Sequence, residues 1–369
     1  MLQGSCKKRT KRGLLGIILP LLLLGLLPLP LGAQKTAINI GLLLPNPGQT
    51  DVIHAAEMAI ADANREGLVG GRPFALVVRT TEGPWGAGSK ESVSLVYEDE
   101  VIAYLGSLDG RNAHLAEQVA AKSHITYIEA RASDPTLSYA YVPWFLRMLP
   151  DDDQQSQALL ADIRARGGGA VAVLSDGNYD TRYFTRSLAK ALAAAGLSRA
   201  YEIDPAAYPD PDRPSKARAG LIKSFRLRGI RHLVLPFYSR EGLRLVLALQ
   251  KQLPDLELYA TLGYQFGAGE AEETGKAKEA IAQLKAMHYG PAPGPEMEAF
   301  MERFSARYGH RPGLAAIYIY DGIRLVTGAS RKLGTDRQAL TNYLREESHP
   351  GHLTGTLRFD ELGKRLQTD

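Results

Sequence analysis

The chain has 369 residues, of which 45% are hydrophobic and 23% charged, with a formal net charge of +4 and one cysteine. The basic excess lies in the first 33 positions, which carry Lys and Arg but no Asp or Glu, so the remainder is close to neutral and lacks the strong positive field of a nucleic-acid partner. The lone cysteine, Cys6, lies in that same segment, which excludes disulfides, thiolate metal sites and a cysteine nucleophile from everything after it.

In chain order, Lys7, Lys8, Arg9, Lys11 and Arg12 form a basic head, an apolar run follows from Leu14 to Leu31, and Gly32-Ala33 supplies small residues. This is the pattern of a secretory signal peptide over residues 1–33, with cleavage expected after Ala33 and an extracytoplasmic mature chain. The rival is a permanent anchor, since about 18 apolar residues span a bilayer. Pro20, Pro28 and Pro30 argue against it, because each removes a helix donor. No later stretch is long and apolar enough to cross, so the mature protein is expected not to span the membrane.

The rest alternates short apolar runs with amphipathic ones. Ile38 to Leu44 reads as a strand covered on both faces. Val52, Ala55, Ala56, Ala59, Ile60 and Ala63 recur at helical spacing, and Gly70-Gly71 turns the chain into a strand over Phe74 to Val78. Strands follow over Val101–Leu105 and Ile125–Ile128, with a helix over Ala113–Lys122 between them. Helices are expected over Gln154–Arg166, Thr181–Ala195, Ala217–Leu227 and Arg240–Gln252, with strands over Ala170–Leu174, Leu233–Leu235 and Leu256–Ala260. Pro295 to Leu333 is helical. Such alternation predicts an α/β fold of parallel sheets with helices on both faces. Breaks at Leu149–Asp153 and Gly267–Gly275 suggest two lobes. Asp151 to Asp153 reads as a helix cap with a solvated face.

The order of motifs after Lys35 resembles one family. Ile40-Gly41-Leu42-Leu43-Leu44-Pro45, Ala61-Asp62-Ala63-Asn64 with Gly70-Gly71-Arg72-Pro73, and Ile125-Thr126-Tyr127-Ile128 with Ala132-Ser133-Asp134-Pro135 are similar to its first lobe. Ala315-Ala316-Ile317-Tyr318-Ile319-Tyr320-Asp321-Gly322 and Gly355-Thr356-Leu357-Arg358-Phe359-Asp360 are similar to its late helix and terminal turn. The family is the type I periplasmic solute-binding proteins, in the leucine/isoleucine/valine-binding group that serves ABC importers. The resemblance implies two doubly wound, Rossmann-like lobes around a central ligand cleft, closed by a hinge. It implies lobe 1 over residues 34–149 and 270–334, and lobe 2 over 150–269 and 335–369. It also implies a monomer that captures a small molecule and delivers it to a membrane permease. A ligand-sensing receptor subunit on the same fold, docked to a membrane sensor, is the alternative.

In amino-acid binders of that group a serine in the first loop and a backbone N–H hold the ligand carboxylate. The matching stretch here contains Asp109 and Gly110, so glycine replaces the serine. The second loop contributes Arg131, Ala132 and Ser133, and the second lobe contributes Tyr179 and Tyr238. Leu262 stands where a carboxylate for the ligand ammonium is expected, and Trp85 is a candidate for stacking on a ring. A buried ammonium without a counter-charge is costly. The expectation is therefore an acidic or aromatic metabolite gripped by Arg131, rather than a plain branched-chain amino acid.

Catalysis is not expected. There is no G-x-S-x-G elbow, no phosphate-binding G-x-x-x-x-G-K-[ST] loop and no H-E-x-x-H pair. Gly167-Gly168-Gly169 precedes a strand, whereas a dinucleotide loop follows one. No cofactor is implied. His349 and His352 flank a Pro-Gly turn without a nearby acidic ligand, so no metal is expected.

Overall fold

Ile38–Leu44 (β1) has a single polar side chain, Asn39, and is almost wholly buried, as a strand covered by helices on both faces must be. The computed structural model describes residues 36–84, 86–106, 108–208, 215–270 and 294–366; the signal-like segment 1–33 and Trp85 lie outside them. Around β1 run β2 (Phe74–Thr80), β3 (Ala103–Gly106), β4 (Thr126–Glu129) and β5 (Phe145–Arg147), in the order β2-β1-β3-β4-β5 with every pair parallel. Gly41 pairs with Tyr104 in the register, and a Cβ at Gly41 would lie 2.7 Å from the Tyr104 Cβ. Glycine there leaves room for the tyrosine.

A second parallel sheet contains β6 (Ala170–Leu174), β7 (Tyr201–Ile203), β8 (Ile230–Leu235) and β9 (Glu257–Ala260), in the order β7-β6-β8-β9. In each sheet the chain reverses its direction of travel beside the first strand, between β1 and β3 and between β6 and β8. Loops at the carboxyl ends of such strands diverge there and leave a crevice. The sheets alternate with helices α1 (Thr50–Glu66), α2 (Ala87–Tyr97), α3 (Gly110–Ser123), the single turn α4 (Thr136–Tyr139), α5 (Asp152–Ala165), α6 (Tyr179–Ala194), α7 (Lys216–Arg228) and α8 (Arg240–Gln250). These are the parallel sheets and helices expected from the alternation of the sequence, in the doubly wound α/β arrangement that the family resemblance implies.

After β9 come α9 (Leu262–Glu270), α10 (Pro295–Tyr308), α11 (Leu314–Leu333) and α12 (Arg337–Glu346). Helix α11 is buried along most of its length between α1 and the first sheet. A Cβ at Gly322 would lie 2.6 Å from Leu105 Cδ2, so only glycine lets the helix approach β3 so closely.

The C-terminal stretch departs from expectation. Residues 335–369 were assigned to the second lobe, but Leu340, Leu344, Leu353, Leu357 and Phe359 share the core of the first sheet. The physical reason is the apolar stripe of α12, which buries Leu340 and Leu344 against α11 and β4. Each such side chain contributes about 1.5–3 kcal/mol on leaving water. The tail beyond is pinned by Asp321 of α11, whose carboxylate accepts the backbone N–H groups of His352, Leu353 and Thr354 at 3.0, 2.8 and 2.7 Å. It also accepts the Thr354 hydroxyl at 2.6 Å.

Candidate functional site

The carboxyl ends of both sheets border a cavity of about 210 Å³. The first sheet contributes Leu108 from the loop after β3 and Arg131, Ala132 and Ser133 from the loop after β4. Across from them stand Asp152 of α5, Asn178, Asp180, Thr181 and Phe184 around the start of α6, and Pro236, Phe237 and Tyr238 after β8. Thr261, Gly263, Phe266 and Gly267, after β9, complete the lining.

Of the residues singled out from the sequence, Arg131, Ala132, Ser133 and Tyr238 line this cavity. The Arg131 guanidinium lies 6.0 Å from the centre of the Phe266 ring, and the Tyr238 ring meets Tyr264 edge-on at 5.6 Å. Asp109 instead caps α3, its Oδ1 accepting the Asn112 backbone N–H at 3.0 Å and its Oδ2 the Asn112 side-chain amide at 2.7 Å. Leu262 is buried in the first core, and its N–H donates to Gln155 Oε1 at 3.1 Å, so its neighbours Thr261 and Gly263 face the cavity in its place.

Gly110 and Tyr179 join the two halves. The Gly110 N–H, at the start of α3, donates to Asp180 Oδ1 at 3.1 Å. A Cβ at position 110 would lie 2.8 Å from that oxygen and 3.0 Å from Tyr179 Cε1. Glycine in place of serine therefore lets α6 close against α3. The Tyr179 hydroxyl donates to Asp134 Oδ2 at 3.0 Å. Asp134 is buried and also accepts the Thr136 N–H and hydroxyl at 2.8 and 2.7 Å. His114 lies 3.3 Å from both Asp134 and Glu117. Burial opposes the charge on this imidazole, but the two carboxylates outweigh it and raise its pKa to about 9. Burial likewise works against the Asp134 carboxylate, and the bonds from His114 and Thr136 overcome it and hold its pKa below the ordinary value.

The aspartates at the start of α5 overturn the reading of a solvated face. Asp151 does cap the helix, in a reciprocal pair with Gln154 at 2.9 Å each way. It is nevertheless buried, 2.7 Å from Lys364 Nζ of the tail. Asp152 is buried too and faces the cavity; its backbone N–H donates to the Ser133 carbonyl at 2.8 Å. Burial, with the neighbouring Asp151, Asp134 and Asp180 adding to it, pushes the Asp152 pKa well above the ordinary range. Asp180 stands at the rim, still open to solvent. Neither cavity-lining carboxylate was singled out from the sequence, because acidic residues at a helix start carry a sufficient local explanation in the cap and the dipole.

Residues 37–368 match the family described as periplasmic binding protein. Among solved structures, an ABC transporter substrate-binding protein from Desulfitobacterium hafniense, in complex with Leu, matches with a TM-score of 0.70 at 18% identity, over 89% of this chain and 95% of its own. The branched-chain amino acid transporter substrate-binding protein of Streptococcus pneumoniae, in complex with isoleucine, matches at 0.69 and 16%, over 90% and 94%. A solute-binding protein of an ABC transporter from R. palustris, in complex with benzoate, matches at 0.70 and 17%, over 90% and 91%. At these identities the likeness is one of fold. By sequence, 80 residues are 38% identical to glutamate receptor 3.7 of Arabidopsis thaliana, a match that spans 21% of this chain and 9% of the receptor.

Proposed function

The chain belongs to the periplasmic binding protein family, and from that premise we propose that it captures a small molecule in the cavity between its halves and passes it, chemically unchanged, to the permease of an ABC importer. The observation that carries this reading is a cavity walled by both sheets' loops, with Gly110–Asp180 and Tyr179–Asp134 tying the walls together. An occupant touching both walls favours the closed arrangement over the open one, which is how a ligand drives hinge closure. The family implies an extracytoplasmic location, and the signal-like first 33 residues support export. Among the described residues no helix is long and apolar enough to cross a membrane.

The ligand reading rests on charge and size. Arg131 and Ser133 from the first sheet's loops and Asp152 and Asp180 from α5 and α6 line the cavity, together with the rings of Phe184, Tyr238 and Phe266. Asp152, its pKa pushed well above the ordinary range, serves as a neutral hydrogen-bonding acid, and the Asp180 carboxyl offsets the Arg131 guanidinium, which disfavours a purely anionic guest. The expectation of an acidic metabolite thus narrows to a molecule with an anionic or polar end for Arg131 and Ser133 and a hydrogen-bond-donating or cationic end for the aspartates. A volume of 210 Å³ lies below the roughly 300–1,000 Å³ of sites for drug-sized ligands, which fits a guest of amino-acid or single-ring size.

Thermal-shift titration against amino acids, single-ring aromatic acids and small amines tests this reading. A ligand at about 100 times its dissociation constant stabilises by about 2.7 kcal/mol. The reading requires a ligand whose stabilisation is lost in both Arg131→Ala and Asp152→Leu. A ligand that stabilises both variants as well as the unsubstituted chain binds elsewhere and contradicts it.

A second reading is a ligand-sensing subunit, and the likeness to a stretch of a plant glutamate receptor favours it. Both readings share the cleft. Reconstitution with the importer separates them, since delivery stimulates its ATPase and sensing does not require it.

A further inference from the structure

Glu129 ends β4 in an otherwise uncharged strand, and no part of its residue is exposed to solvent. An unpaired carboxylate in such a place is costly. It is satisfied instead by the backbone of the site itself. Its Oε1 accepts the N–H groups of Leu108, Ala130, Arg131 and Ala132 at 3.2, 3.0, 2.7 and 3.0 Å. Its Oε2 accepts the Tyr127 hydroxyl. Successive amides turned toward one anion form a nest, and the two loops folded around this one are those that present Leu108 and Arg131 to the cavity.

The surroundings are shaped for this group. Gly106 of β3 lies beside it in the register, and a Cβ there would fall 2.8 Å from Glu129 Oε2. Tyr104 stacks on Tyr127 with ring centres 4.9 Å apart. Burial raises the pKa of both phenols well out of range, so they remain neutral donors. From β5, Arg147 is the register partner and donates to the Asp134 carbonyl at 2.7 Å. From α3, Glu117 faces the tyrosine pair and bonds His114.

We propose that Glu129 is the positioning residue of the ligand site: its carboxylate draws the amides of both first-sheet loops onto one point, fixes where Arg131 stands, and slackens that hold on taking a proton. Its bearing on ligand capture rests on the function proposed above. Burial raises its pKa to about 7 against the pull of Tyr127 and the loop amides, which places the change within reach of ordinary conditions.

The test is amide NMR on the unsubstituted protein between pH 5 and 8.5, followed by amide hydrogen exchange on Glu129→Gln. The resonances of Leu108, Ala130, Arg131 and Ala132 are expected to titrate together with one midpoint near 7, and this shared step vanishes in Glu129→Gln. In that variant the four amides exchange about ten-fold faster or more, as expected when a charged acceptor is lost, while amides of the second sheet keep their rates. A purely structural role leaves the Arg131 side-chain Nε–H resonance unmoved across this step, whereas positioning by Glu129 moves it together with the four amides. The proposal is overturned if the four amides in the unsubstituted protein show no common step, or if their exchange is unchanged in the variant. Neither readout needs a ligand, so failure here is distinct from failure of the thermal-shift titration that tests ligand capture.

Discussion

The Tyr179 hydroxyl reaches across the cleft to the Asp134 carboxylate at 3.0 Å, so a tyrosine from the start of α6 is tied to the loop after β4. It was expected to touch the ligand. The structure makes it a strut between the walls, absent from the cavity lining.

Tyr179→Phe removes that strut and little else. A hydrogen bond to a charged group contributes about 1.5–3 kcal/mol, or about 10- to 150-fold in affinity. The expected outcome in calorimetric titration is weaker ligand binding by that factor, with an unchanged unfolding midpoint for the ligand-free protein.

Gly110→Ala places a methyl 2.8 Å from Asp180 Oδ1 and 3.0 Å from Tyr179 Cε1. The closed arrangement becomes strained, and affinity is expected to fall about ten-fold or more, in line with the cost of overpacking. Calorimetric titration of Gly110→Ala reads that loss, and an affinity equal to that of the unsubstituted chain contradicts it.

His114 predicts a pH dependence of stability. Its pKa rises from 6.5 in the unfolded chain to about 9 in the fold. The folded state therefore holds the proton more tightly, and the stability this contributes is full below 6.5 and lost as pH rises through about 9. Calorimetry on the unsubstituted chain should show an unfolding midpoint that declines across this window. In His114→Gln the decline is expected to be shallower, because the group that releases the proton is gone.

Asp321→Ala releases the tail. Three backbone N–H groups and one hydroxyl lose their acceptor in a largely buried setting, a cost of about 2–4 kcal/mol. Urea unfolding should register that loss, and ligand affinity should hold, since Asp321 does not border the cavity.

Much of the fold was legible because the parallel strands are short apolar runs and the helices repeat on a regular stripe. Ile38–Leu44 matches its expected bounds, and Ala170–Leu174 does as well. The edge strand Tyr201–Ile203 was not, since three residues with one buried side chain carry no period. The placement of α12 escaped for another reason: an amphipathic stripe shows that a face is buried, not against which sheet. At the candidate site, Arg131 to Ser133 and Tyr238, chosen from motif order, border the cavity. Asp152 was concealed by its place in a helix cap. Glu129 had a visible signal, a carboxylate in a four-residue strand that is otherwise uncharged, but the expected strand ended at Ile128 and left it in the loop.

The most direct test of the central claim is a crystal structure of the protein with its bound small molecule, either retained through purification or added from the titration. The account predicts density inside the cavity, with contacts from Arg131 or Ser133 on one wall and from Asp152, Asp180 or Tyr238 on the other. Density outside the cavity, or contacts from one wall alone, would contradict it.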